Sequence, residues 1–88
     1  MLKSEAEVIT LLYISKNKYN TIKNTVTLQE LVKNTHTNYN TLYKIIQNFI
    51  NLGYIKEGLS KGKCKTYFIS SEGMKLSDEV RKEFKLDV

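Results

Sequence analysis

Proline and tryptophan are missing from this chain altogether, and cysteine, histidine and arginine occur once each. A lone cysteine, Cys64, excludes an intrachain disulfide framework and leaves no zinc cluster to assemble. His36 has no metal-ligand company in the sequence, so no metal and no cofactor is expected. No apolar run approaches the ~18–20 residues of a membrane span, so no membrane partner is expected either. Met1-Leu2-Lys3-Ser4-Glu5 leads into an amphipathic pattern rather than a signal-peptide core, which predicts a cytoplasmic protein. The chain also lacks a His/carboxylate pair, an activated nucleophile and a glycine-rich phosphate loop. That absence argues against an enzyme.

What is present is lysine, asparagine, isoleucine and tyrosine. All are encoded by A/T-rich codons, so the preference for lysine over arginine carries little functional information. With 88 residues, 41 % apolar and 26 % charged, the chain has room for one domain and one small core. So short a chain has little spare volume for a pocket, and no small-molecule ligand is evident. The net charge of +5 points to an anionic partner. Its distribution says more. Residues 54–69 hold four lysines against Glu57, as large an excess as the six lysines over three glutamates of residues 1–53. Residues 70–88 hold four basic against five acidic side chains. Positive potential therefore concentrates in the third quarter of the chain and excludes the C-terminal segment.

Local signals predict four helices and a hairpin. Ser4 with Glu7 fits a capping box that opens a helix over 4–16, with Val8, Ile9, Leu11, Leu12 and Ile14 buried. Residues 17–25 read as a loop, with Ile22 as its anchor, and Val26 as a one-bridge strand. Thr27-Leu28-Gln29-Glu30 is a second capping box, opening a short helix over 28–34 that buries Leu28, Leu31 and Val32. Asn34-Thr35-His36-Thr37 supplies a turn without glycine or proline. Asn38 then caps a helix over 39–52 that stops at Gly53. Strands over 54–59 and 63–69 surround Ser60-Lys61-Gly62, and Ser70 caps a last helix over 71–85. In that helix Leu76, Val80 and Phe84, together with Leu11 and Leu12, are the expected homodimer interface. The fold class this order defines is mainly α with a small β-hairpin wing, in one domain over 1–88.

The third helix carries the sharpest functional signal. Leu42, Ile45, Ile46 and Phe49 fall at i, i+3, i+4 and i+7, a buried stripe. At about 100° per residue the opposite face is centred on Asn40, Lys44, Gln47 and Asn51, flanked by Thr41, Tyr43 and Asn48. That face offers hydrogen-bonding side chains, one positive charge and no carboxylate. A generic solvated helix mixes Glu with Lys there. Amide side chains pair with adenine edges, lysine with guanine or phosphate, and threonine with phosphate or a thymine methyl. Thr37, Asn38, Asn40, Thr41, Tyr43, Lys44, Gln47 and Asn48 are therefore the candidate base and backbone contacts, with Lys61, Lys63 and Lys65 of the hairpin for phosphate.

Leu28-Gln29-Glu30-Leu31-Val32, Leu42 with Ile45, Ile46 and Phe49, Leu52-Gly53-Tyr54-Ile55, and Tyr67-Phe68-Ile69-Ser70-Ser71-Glu72-Gly73 stand in one order and spacing. In these residues the chain resembles winged helix-turn-helix regulators of the broad MarR/PadR type. Its size and composition are similar to regulators of archaeal viruses and plasmids, which would place it in the host cytoplasm. The resemblance implies a recognition helix over 38–51 in the major groove of double-stranded DNA, a wing on backbone or minor groove, and transcriptional regulation by a homodimer. Two departures stand out. MarR-type wings carry an Asp and Arg pair where this chain has Lys61 and Lys63, and the long C-terminal dimerisation helices are missing. The rival expectation is a winged helix that binds protein in a transcription or replication complex. Cys64 is expected as a reduced thiol in a strand, with an intersubunit disulfide or redox sensing as the alternative.

Overall fold

The computed structural model of this chain describes residues 5–84, and of Phe84 the backbone alone. Seven elements follow in order: α1 (Glu5–Lys16), β1 (Val26–Thr27), α2 (Leu28–Thr35), α3 (Tyr39–Asn51), β2 (Ile55–Glu57), β3 (Thr66–Ile69) and α4 (Ser71–Phe84). The expected cap at Ser4 and the extension of the last helix to Lys85 lie outside the described residues. The three strands form one antiparallel sheet in the order β1-β3-β2. Val26 faces Tyr67 and Thr27 faces Thr66, while Ile55, Lys56 and Glu57 face Ile69, Phe68 and Tyr67. The architecture is the winged helix-turn-helix, four helices around a small sheet.

The core is built from every element. Leu11 and Ile14 of α1, Leu31 of α2, Leu42, Ile46 and Phe49 of α3, Ile55, Tyr67 and Ile69 of the sheet and Val80 of α4 are all enclosed. At about 1.5–3 kcal/mol for each large apolar side chain removed from water, this cluster is the main stabilising term. Gly73 lets α4 join it closely. A Cβ at that position would overlap the Tyr54 carbonyl oxygen and the Ile69 Cγ1. Ser70 fastens the same corner: its backbone N–H donates to Tyr54 O (2.9 Å), its hydroxyl donates to Gly53 O (2.5 Å) and accepts from Gly73 N–H (3.1 Å).

Beside the apolar core, α1 and α4 are joined by a polar seam. Ser77 Oγ donates to Ser15 Oγ at 2.6 Å, Arg81 Nη2 donates to the same oxygen at 2.9 Å, and Ser15 Oγ donates to Leu12 O at 3.1 Å. The chain's lone arginine is therefore a structural clamp between the two helices.

Three expectations need correction. Ile9 is not buried but 40 % exposed, and Val8 and Leu12 are only half-buried, because α1 turns one side outward. Ile22 does not anchor the loop over 17–25, being 50 % exposed. Asn24 does so instead, its Nδ2 donating to Lys18 O at 2.6 Å, while Ile69 N–H donates to Tyr19 O at 2.7 Å. Of the expected dimer residues, Leu11 and Val80 are enclosed by the chain's own core and present no surface. Leu12 and Leu76 keep part of theirs, and the Phe84 side chain lies outside the described residues.

Candidate nucleic-acid interface

The helix-turn-helix is held by caps written locally in the sequence. Thr27 Oγ1 accepts from Glu30 N–H at 3.2 Å and lies 3.2 Å from the Glu30 carboxylate, so one hydroxyl closes the start of α2. At the other end His36 adopts a left-handed conformation, φ 56°, and its N–H donates to Val32 O at 3.1 Å. This is the position glycine usually fills at a helix end. Asn38 Oδ1 then accepts from Asn40 N–H at 2.8 Å and Thr41 N–H at 3.2 Å, starting α3. That oxygen is committed to the helix, so Asn38 has only its amide donors to offer a partner.

α3 separates its two faces cleanly. Leu42, Ile45, Ile46 and Phe49 are buried, whereas Asn40, Thr41, Tyr43, Lys44, Asn48 and Asn51 are exposed and Gln47 is half-exposed. Thr37, before the helix, is half-buried and its hydroxyl leans on Thr35 O (3.4 Å). No carboxylate interrupts the outward face of α3. Its helix N-terminus adds partial positive charge to Lys44 on the same surface.

The wing is shorter in regular structure than its sequence pattern suggests. The paired strands are β2 and β3 only, and beyond them the tip turns over Gly62-Lys63, closed by reciprocal backbone bonds between Lys61 and Cys64 at 2.9 and 3.1 Å. Lys61, Lys63 and Lys65 are all exposed. Lys65 lies 3.9 Å from the Glu57 carboxylate, which offsets part of its charge; Lys61 and Lys63 have no such neighbour among the described ion pairs. Cys64 sits at the tip bridge, outside the regular strand in which it was expected.

The wing and α3 converge. A cleft of about 240 Å³ is lined by Leu28 and Gln29 of α2, Tyr39 and Tyr43 of α3, Lys63, Cys64 and Lys65 of the wing, and Tyr67 of β3. Tyr39 and Tyr43 are 50 % and 46 % exposed, so neither is enclosed in the core. At its floor, burial first and then the Glu57 carboxylate and the Tyr43 and Tyr39 phenols hold the Tyr67 phenol above its ordinary value of 10.0. Tyr67 is thus a neutral group at physiological pH. Gln29 and Tyr39 as wing neighbours were hidden from the sequence, because their meeting with Lys63 and Cys64 depends on β1 pairing with β3. The signal available was Val26-Thr27, a β-branched pair next to a cap. Among the described residues no group of three His, Cys, Asp or Glu side chains is placed to hold a metal ion, and no helix is long and apolar enough to cross a membrane.

No protein-family model matches the chain, and no curated protein matches it in sequence. Solved structures do match its fold. MepR, a transcription regulator of the Staphylococcus aureus multidrug efflux pump MepA, superposes with a TM-score of 0.79 at 16 % identity over 93 % of this chain and 58 % of its own. AF1382 from Archaeoglobus fulgidus gives 0.79 at 17 % identity, covering 96 % and 89 %. A point mutant of S. aureus MepR bound to an oligodeoxyribonucleotide gives 0.78 at 15 % identity, covering 93 % and 58 %. The fold is therefore the winged helix-turn-helix of MarR-type regulators. This chain spans little more than half the length of the MepR chains it resembles.

Proposed function

We propose that the chain is a sequence-specific double-stranded DNA-binding transcriptional regulator that acts as a homodimer and as one domain. The observation that carries the reading is the outward face of α3, carboxylate-free from Asn40 to Asn51, beside a wing whose exposed Lys63 and Lys65 share one cleft with Tyr39 and Tyr43 of that helix. Asn40, Thr41, Lys44, Gln47 and Asn48 read base edges in the major groove. Tyr39, Tyr43, Gln29 and the wing lysines hold the phosphates on either side. Affinity comes largely from lysine–phosphate contacts with release of counterions. A two-fold pair of chains presents two such helices about one turn of duplex, ~34 Å, apart and so favours a pseudo-palindromic site. The fold shared with a MepR mutant solved on an oligodeoxyribonucleotide supports the same reading. A winged helix that docks on protein would offer an apolar or acidic patch where this one offers amides and lysines.

The test is a fluorescence-anisotropy titration of duplex DNA across salt concentrations, on duplexes first selected from a random pool. Binding that weakens steeply with salt is expected. Affinity that stays flat from low to moderate salt, or fails to appear, would sink the proposal.

A further inference from the structure

Among the described residues, α1 keeps an outward stripe that the rest of the fold covers only in part. Four side chains recur along it at spacings of four, three and four: Glu5, Ile9, Leu12 and Lys16. At about 100° per residue they fall within an arc of roughly 60°, opposite the enclosed Thr10, Leu11 and Ile14. Glu5 and Lys16 are exposed, Ile9 is 40 % exposed and Leu12 is half-buried. The spacing is that of alternating core positions in a coiled coil. It is also palindromic about the midpoint of the helix, while the charges at its two ends are opposite. Turned end over end onto a copy of itself, the stripe sets Ile9 against Leu12 and Glu5 against Lys16, each twice. A parallel copy would instead set Glu5 on Glu5 and Lys16 on Lys16.

We infer that this stripe is the self-association surface, and that two chains pair through α1 antiparallel about a two-fold axis between residues 10 and 11. The inference rests on the homodimer reading above; it keeps Leu12, drops Leu11 and Val80, which the core encloses, and adds Ile9. Apolar contact at the centre holds the pair, and the end charges select the antiparallel orientation. Half-buried Val8, beside the stripe, widens the patch. One helix pair still falls short of the ~1,200 Å² of a standard stable interface. Without DNA the dimer therefore dissociates on dilution.

Sedimentation of the full chain without DNA, from micromolar to near-millimolar concentration, reads the association directly. Glu5→Lys alone and Lys16→Glu alone each turn two attractive pairs into repulsive ones and should weaken the dimer by about tenfold. The combined Glu5→Lys/Lys16→Glu chain should recover it. Ile9→Glu, at an exposed position that leaves the fold intact by circular dichroism, should abolish it. In a Cys64→Ser background, mixing Ile9→Cys with Leu12→Cys chains under mild oxidation should give the mixed disulfide ahead of either like pair. A chain that stays monomeric throughout, a double swap that fails to recover, or like pairs that outrun the mixed one would each overturn the register. Anisotropy with a duplex carrying a single half-site, run on the same variants, keeps the DNA reading separate: half-site binding survives loss of the dimer, whereas failure of the DNA reading removes binding from the unmodified chain too.

Discussion

α1 and α3 are nearly the same length, 12 and 13 residues, and end in the same hydrogen-bonded closure, yet they are opposite kinds of helix. α3 divides sharply: four apolar side chains inward, amides, hydroxyls and one lysine outward. α1 does not divide. Its inward Leu11 and Ile14 are matched by Ile9 and Leu12 on the outward side. A helix with a clean polar face is finished once its apolar stripe is covered, and the polar face is free to meet a polar partner such as a DNA groove. One that is apolar on two sides needs two apolar neighbours. The core supplies one of them for α1. On the proposed reading, the same polypeptide carries one helix that reads a nucleic acid and another that meets a second copy of itself.

α4 is fastened to the chain just after α3 at the corner of Gly73, and a substitution there should produce the largest effect. Gly73→Ala pushes a methyl group into the Tyr54 carbonyl, between α3 and β2, a backbone atom that cannot swing aside. A loss of about 2–3 kcal/mol is expected, a large share of the stability of a domain this small. The midpoint of urea unfolding measures it. An unchanged midpoint would mean that α4 and α3 are not held together where the structure shows them.

Next come the faces. Removing a groove-facing amide or lysine from α3 should cost about 1–3 kcal/mol against the preferred site and relax preference at one base position. Asn40→Ala and Lys44→Ala are the cases to measure. Lys61→Ala on the wing should weaken all duplexes alike and lower the salt dependence by about one phosphate contact. Comparing selected and scrambled duplexes by anisotropy separates the two patterns. Equal, sequence-independent losses from all three would erase the distinction drawn between helix and wing.

Asn38→Ala sits between stability and binding. The cap it removes serves two backbone donors, at 2.8 and 3.2 Å, and its loss should destabilise the chain by about 1 kcal/mol. The same change frays the first turn of α3, where Asn40 and Thr41 are held. Asn38→Asp keeps the acceptor and should retain stability while weakening DNA binding, since it adds the carboxylate that face otherwise lacks. Thermal melts and DNA titration on both variants distinguish cap from contact.

How much of this was legible follows the same contrast. α2 and α3 could be read to within a residue because each carries its own cap and a single apolar stripe: Thr27 with Glu30, Asn38, and the run from Leu42 to Phe49. The outward side of α1 could not, because a helix with apolar side chains on more than one side has no clear period to say which leucine faces in. Leu11 and Leu12 are chemically alike and adjacent, and only packing against Ile14 and Val80 separates them. The cleft was hidden for another reason. Gln29, Tyr39, Lys63 and Cys64 lie far apart in sequence, and what unites them is the pairing of a two-residue strand with β3. So short a strand leaves almost no pattern of its own.

The smallest effect concerns how the two helices stop. In α3, Tyr54 N–H donates to Phe49 O at 2.9 Å and Gly53 N–H to Ile50 O at 3.1 Å; in α1, Tyr19 N–H donates to Ile14 O and Lys18 N–H to Ser15 O, both at 3.2 Å. Both are the double closure whose pivot residue is left-handed. α3 pivots on Gly53 at φ 83°, but α1 pivots on Lys18 at φ 58°. A side chain in that conformation costs about 1–2 kcal/mol. Glycine would remove the cost while adding about 0.5–1 kcal/mol of unfolded-chain entropy, so Lys18→Gly should stabilise the fold by about 0.5 kcal/mol. The reverse exchange, Gly53→Ala, should destabilise it by about 1 kcal/mol. Urea midpoints measured on both variants should move in opposite directions. Movement of both downward would mean that the Lys18 side chain holds the loop in a way its exposed position does not suggest, and the parallel between the two helix ends would then be geometric only.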